Sequence, residues 1–300
     1  MNGRGGMEVL CVGQAVVDCI SRGVQGDPLG NGKTRAESIT LNLGGDAVNE
    51  SFVLASMGRR AGLMCAVGDD LAGRFVRQEA ERRGVNTESV TTAYGIVTPV
   101  ANMFVGLDGS RSSVTSRASM LEGYVPDVDA VRSSGARIVS LASLFRAPLD
   151  QADTVCALVR AASESGAAVC ADTKIPTYRP MKIEEIAGIL PLIDYLFPNE
   201  TEAAYLTGCR DLDDMGEALL DMGVRHVVIK TGEQGCRAYS AGERFSLPAL
   251  SVPVVDTTGA GDNFAAGFMD ELLRGGDMMA CCGRGLRAAA DSIQHLGATV

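Results

Sequence analysis

Histidine is almost missing from this chain: of 300 residues only His226 and His295 are imidazoles. A Ser-His-Asp triad or a histidine-rich metal centre is therefore excluded as a working hypothesis, since both draw on that side chain. His226 precedes a strand-like run and His295 lies near the end of a helical pattern, and both read as structural. Cysteine is present nine times, but the number is odd and no C-x-x-C occurs. Most of these thiols sit inside apolar runs such as Val9-Leu10-Cys11-Val12, as expected of buried, reduced cysteines in a cytoplasmic protein. Cationic surplus is also lacking: 27 Lys and Arg stand against 37 Asp and Glu, for a net charge of −10. Nucleic acid and anionic membranes need a cationic face and are not expected partners. A phosphate-bearing ligand is still compatible, because a few backbone N–H groups hold phosphate locally. The apolar stretches are too short to span a bilayer. The polar segment Met1–Gly6 leads directly into a strand, so no signal peptide is expected.

What is there is alternation. Strand-length apolar runs (Val9–Gly13, Gly62–Val67, Arg137–Leu141, Ala167–Asp172, Tyr195–Phe197, His226–Lys230) alternate with helical patterns. The helices fall at Ala47–Met57, Leu71–Arg83, Leu149–Glu164, Thr201–Leu206, Asp213–Met222, Ala260–Leu273 and Met278–His295. This order predicts an α/β fold with a mostly parallel sheet between helical layers. Thr34–Asn42 alternates with period two, and Pro99–Arg117 reads as a hairpin around Asp108-Gly109. Together they predict a small antiparallel sheet, serving as a lid or dimer surface or as ordinary surface hairpins.

Gly30-Asn31-Gly32-Lys33-Thr34 imitates the end of a P-loop. Asp27 stands where the full pattern needs glycine, and no helix follows to offer N–H groups to a phosphate.

The segment Val254-Val255-Asp256-Thr257-Thr258-Gly259-Ala260-Gly261-Asp262-Asn263-Phe264 carries the most chemistry. Gly259 and Gly261 let the backbone turn tightly at a helix start. Their amides and that of Ala260 then face outward, reinforced by the helix dipole, as an anion hole for a phosphoryl group in flight. Asp262 in the first turn is placed to accept a proton from an attacking hydroxyl, or else only to cap the helix. A dinucleotide fingerprint would need glycine at position 264, where Phe264 stands.

The intact string D-T-T-G-A-G-D resembles the C-terminal signature of the PfkB/ribokinase family of carbohydrate and nucleoside kinases. The resemblance implies a ribokinase-like three-layer αβα sandwich over residues 1–300 as a single domain, with a β lid formed by roughly 15–43 and 94–118. It assigns Asp262 as the catalytic base and Gly259, Ala260 and Gly261 as the anion hole. The glycine pair Gly44-Gly45, with Asn49 and Asp18, would hold acceptor hydroxyls, and Arg117 at the end of the lid hairpin would reach the substrate. Pro198-Asn199-Glu200-Thr201-Glu202 resembles the family's P-N-x-x-E, with Asn199 near the nucleotide and Glu202 organising hydrated Mg²⁺. The same five residues also spell an ordinary capping box. Lys230-Thr231-Gly232-Glu233-Gln234-Gly235 matches the family's nucleotide-side turn, and Gly68–Gly73 a structural G-x-D-x-x-G.

Departures from the family bear on substrate and cation. Asp46 and Ala47 stand where ribokinase has Lys and Gly. Lys174 replaces a common amide and would meet a phosphate or a substrate carboxylate, or lie solvated on a loop. Leu141–Phe145 lacks ribokinase's Glu, which argues against ribose. Asp256 and Thr258 are present for a monovalent cation such as K⁺, but the later loop is short. The resulting expectation is a cytoplasmic kinase, homodimeric through its lid, that transfers phosphate from Mg·ATP to a sugar or sugar derivative. A nucleoside kinase, a catalytically silent binding relative and a nucleotide-dependent oxidoreductase are the alternatives.

Overall fold

The structure is a computed structural model, and it describes residues 6–298 other than 31 and 109. The hairpin tip Gly109 and the decoy's Asn31 thus lie outside the described residues. The chain runs β1 (Val9–Val12), β2 (Val16–Val24), β3 (Ser38–Gly44), α1 (Asp46–Ser56), β4 (Ala61–Val67), α2 (Leu71–Arg82), β5 (Val90–Thr92), β6 (Val100–Gly106) and β7 (Arg111–Thr115). It continues α3 (Val128–Ser133), β8 (Ile138–Leu144), α4 (Ala152–Glu164), β9 (Ala168–Thr173), β10 (Tyr195–Phe197), α5 (Glu200–Thr207) and α6 (Leu212–Asp221). The last elements are β11 (His226–Lys230), β12 (Cys236–Ser240), β13 (Glu243–Leu247), α7 (Ala260–Arg274) and α8 (Met278–Ser292).

Among the described residues one sheet has the order β13-β12-β11-β10-β9-β8-β1-β4-β5. Its pairs are parallel from β5 to β11 and antiparallel only at β12 and β13. Both faces are covered, so successive residues of one strand enter different cores. Val9 and Cys11 join the core formed with α1, α2, α7 and α8, while Leu10 and Val12 join the core formed with α3 to α6. That is why β1, β4 and β8 read as continuous apolar runs, each buried along its whole length.

A second sheet has the order β3-β2-β6-β7. The hairpin forms as β6–β7, and β3 answers to the alternating Thr34–Asn42 segment. Its strand β2, pairing β3 antiparallel and β6 parallel, is the element the sequence reading lacks. Asp18 accordingly lies within a strand and not in a loop after β1. Its residues Val16, Asp18, Ala101 and Thr115 share a cavity with Ser143 near the end of β8 and Lys174 just after β9, and the carboxyl ends of strands are where open α/β sheets hold ligands.

Candidate active site

Asp262 lies in the first turn of α7, with its side chain turned inward and only 3 % of the residue exposed. The turn before it depends on Gly259, whose φ of 75° is left-handed and whose missing side chain makes room for Ala298. Asn49 of α1 donates from Nδ2 to Asp262 Oδ2 at 2.6 Å. The other amide atom, Asn49 Oδ1, is buried and has no hydrogen-bond partner among the described residues. An orphan acceptor of this kind in a cleft is suited to a ligand hydroxyl.

The glycine pair serves the same corner. A Cβ on Gly44 would run into the Asp18 carboxylate, and one on Gly45, at φ 94°, would run into Gln14 O. Gly44 thus lets Asp18 lie across the start of α1, where burial pushes its carboxyl up to about 6.

Three cavities meet here. One of about 540 Å³ is lined by Asp18, Gly44, Gly45, Asp46, Asn49, Asp262 and others. A second of about 680 Å³ shares Asp18, Gly45 and Asp46. A third of about 370 Å³ is lined by Asn199, Glu202, Lys230, Gly232, Gly235, Gly259, Ala260, Gly261 and Asp262. Asp262 therefore stands between the side that holds the glycine pair and the side that holds the Asn199 and Lys230 segments. Phe264, Leu286 and Ala289 give the third cavity an apolar wall.

The electrostatics concentrate on Asp262. Burial and the charge of Asp46 raise its pKa, Lys174 and the Asn49 bond oppose them, and the carboxyl is pushed up to about 8. Lys174 Nζ lies 3.4 Å from Asp46 Oδ2. Burial works against its charge, but Asp46, Asp172, Asp262 and Glu202 outweigh it and hold it protonated. Lys230 Nζ is bound to both oxygens of the fully buried Asp172 at 2.7 Å, so its charge is already partnered. Gly261 leaves that ammonium close by: a Cβ there would sit 3.2 Å from Lys230 Nζ.

Asn199 and Glu202 do form the capping box. Glu202 N donates to Asn199 Oδ1 and Asn199 N donates to Glu202 Oε2, both at 2.9 Å. Glu202 Oε2 also accepts from Thr173 Oγ1 at 3.0 Å. Burial and Asp172 raise this carboxyl against the pull of Lys230. The cap and the cavity wall are the same residues, so the two readings of this motif coexist. Thr231 is buried, and its N–H closes the turn on Gly235 O at 2.9 Å.

One expected contact is not formed. Arg117 lies outside the cleft, 82 % exposed at the side chain and paired with Glu122 at 3.2 Å. The hairpin sends Arg111 inward instead, with Nη1 3.1 Å from Asp256 Oδ1. Asp256 Oδ1 also accepts from Thr258 N at 3.0 Å and Thr258 Oγ1 at 2.7 Å, and Oδ2 accepts from Gly297 N at 3.1 Å. These bonds overcome burial and hold the carboxyl at about 2. The carboxylate is thus saturated by donors and faces a guanidinium.

One residue of the cleft, Arg146, escapes sequence reasoning as a site member. Asp46 touches all three cavities, and Arg146 lines the second. Asp46 carries a signal, as the charged residue directly after the glycine pair; Arg146 carries none that local sequence shows.

Among the described residues no group of three or more His, Cys, Asp or Glu side chains is placed to hold a metal ion, and no helix is long and apolar enough to cross a membrane.

The model of the pfkB family carbohydrate kinases matches residues 7–300. An ATP-dependent ribose-1-phosphate kinase of Halopiger xanaduensis is 32 % identical over 253 residues, which is 84 % of this chain and 80 % of that one. A ribokinase of Haemophilus influenzae is 27 % identical over 87 % of this chain and 84 % of its own. Among solved structures, Arabidopsis thaliana ribokinase complexed with ribose and ATP superposes with a TM-score of 0.82. It is 24 % identical and matches 98 % of this chain and 95 % of that one, a likeness of fold.

Proposed function

The chain belongs to the pfkB family of carbohydrate kinases, and on that premise we propose that Asp262 is the general base of an ATP-dependent phosphoryl transfer to a hydroxyl of a sugar or sugar derivative. The observation that carries the reading is the position of Asp262. It lines both the cavity with Asp18, Gly45 and Asn49 and the cavity with Asn199, Lys230 and Gly232. A base for this reaction must face the acceptor and the γ-phosphoryl at once.

Asp18, Gly44, Gly45 and Asn49 hold the acceptor, with the orphan Asn49 Oδ1 receiving one hydroxyl proton. Asp262, ionised, takes the proton of the attacking hydroxyl, whose oxygen forms the new P–O bond as ADP leaves. General-base assistance of this kind is worth about 10²–10⁴ in rate. The amides of Gly259 and Gly261 carry the charge of the migrating phosphoryl, while that of Ala260 already donates to Thr257 O at 3.2 Å and shapes the turn. On the nucleotide side Asn199, Thr231, Gly232 and Gly235 border ATP, with Lys230 and Lys174, each beside its carboxylate partner, lining the same cavity. Magnesium keeps several of its waters, so the single carboxylate of Glu202 fits it through water. Bound there, the ion would neutralise charge on the β- and γ-phosphates.

Residues 15–43 and 94–118 act as a lid over the acceptor within a single kinase domain, and the exposed sheet edge supports lid-to-lid dimerisation in the cytoplasm.

The test is ATP consumption over a panel of sugars, sugar derivatives and nucleosides. Turnover with nucleosides alone would favour the nucleoside-kinase alternative, and no turnover with any acceptor would contradict the reading.

A further inference from the structure

This inference rests on the kinase reading and concerns what the acceptor carries besides its reactive hydroxyl. The second cavity is lined by Asp18, Asp46, Ser143, Arg146, Lys174 and Thr177 among others. Its floor is the loop from β8 to α4, and that loop is built under constraint. Phe145 holds φ at 76°, a left-handed conformation that bulky side chains rarely adopt. Such strain persists only where the surroundings over-determine it, and it clusters at ligand sites.

The surroundings here do so. Phe145 N donates to Leu149 O at 2.9 Å, Arg146 N to Ser143 O at 3.0 Å, and Lys174 N to Leu144 O at 2.9 Å. Asp150, 3 % exposed, pairs with Arg179 at 2.9 Å beneath them.

Arg146 is what this loop presents. Its Nε donates to Ile175 O at 2.6 Å, which fixes the plane of the guanidinium. Among the described residues its terminal nitrogens make no ion pair, although they belong to a chain of net charge −10. The other cations nearby each face a carboxylate: Lys230 faces Asp172, Arg111 faces Asp256 and Lys174 faces Asp46. A guanidinium held by Nε with its fork free is pre-organised for a bidentate oxyanion. The Ser143 and Thr177 hydroxyls line the same cavity, so the donors suit the three oxygens of a phosphate better than the two of a carboxylate.

We propose that Arg146 binds a phosphate group on the acceptor, so that this enzyme phosphorylates a sugar that is already a phosphate monoester. The glycine pair, Asn49 and Asp262 then act on a free hydroxyl at another carbon of the same sugar.

The experiment compares kcat/KM for matched acceptors: D-ribose against ribose 1-phosphate and ribose 5-phosphate, D-fructose against fructose 6-phosphate, and D-gluconate as the carboxylate control. The expected result is a preference of at least 100-fold for one phosphorylated sugar over its parent and over gluconate. Arg146→Gln should lower kcat/KM for that sugar by roughly 10- to 100-fold, mainly through KM, the factor expected for losing hydrogen bonds to a charged group. Arg146→Lys should recover part of it. A neutral sugar or gluconate used as well as every phosphorylated one overturns the proposal and leaves the kinase reading standing. A preference that survives Arg146→Gln overturns it as well. If no acceptor consumes ATP, the kinase reading fails, and calorimetric titration with ribose 5-phosphate and ribose 1-phosphate then decides the subsite, the absence of binding overturning it.

Discussion

Asn49 Nδ2 donates to Asp262 Oδ2 at 2.6 Å across 213 residues of sequence, joining the helix after the glycine pair to the helix that carries Asp262. The bond stabilises the ionised carboxylate, and it aims Asp262 with a side chain whose other polar atom is unsatisfied. Asn49→Ala should therefore lower kcat and raise the KM of the acceptor, whereas a residue that only packs would leave KM unchanged. Steady-state kinetics separate the two.

The pH profile follows from the same residue. Asp262 must be ionised to act as base, and its carboxyl is pushed up to about 8 by burial and by Asp46. Activity as kcat/KM should fall as pH drops through about 8. Asp46→Asn removes a charge that raises this pKa and should move the acid limb to lower pH. Lys174→Met removes one that lowers it and should move the limb to higher pH. Limbs that shift together, or not at all, would contradict this electrostatic assignment.

Stability should change in the direction opposite to activity. The folded-state pKa of Asp262 lies above that of an ordinary carboxyl, so the folded protein binds the extra proton between about pH 4 and pH 8. The contribution of Asp262 to stability is fully present below the unfolded pKa and is lost as pH rises through the folded one. Asp262→Asn carries no titrating group and should melt higher than wild type at pH 8, with the difference vanishing toward pH 4. Thermal melts at the two pH values check the sign.

Arg111 sets a positive charge 3.1 Å from Asp256 Oδ1, where it can stand in for a monovalent cation. Activity should agree within about twofold in K⁺, Na⁺ and tetramethylammonium buffers, and K⁺ should not raise the melting temperature. Strong activation by K⁺ would show that the Arg111–Asp256 pair opens to admit it.

The parts of the site legible in the sequence are those in which chemistry and backbone share one contiguous segment. Asp256–Asp262 is of this kind, as are Gly44–Gly45 and Asn199–Glu202, where glycine or a cap and the functional side chain lie within a few residues. The parallel sheet is legible because strands covered on both faces must be apolar throughout. β2 is harder: Val16–Val24 carries Asp18, Ser21 and Arg22 without clean alternation, because one face of it meets the cleft. That Arg111 and not Arg117 turns toward the cleft depends on how the hairpin lies over it, which residue type does not record. Arg146 depends on the left-handed Phe145 and on hydrogen bonds from segments 30 residues away, none of which leaves a mark in the local pattern.

The central claim, that Asp262 is the base of a phosphoryl transfer, is tested most directly by single-turnover transfer from γ-labelled ATP to the best acceptor found, comparing wild type with Asp262→Asn at saturating substrates. The account predicts a transfer rate about 10²–10⁴-fold lower in the variant, with nucleotide affinity retained and the fold intact by circular dichroism. A variant that transfers phosphate at the wild-type rate would contradict it.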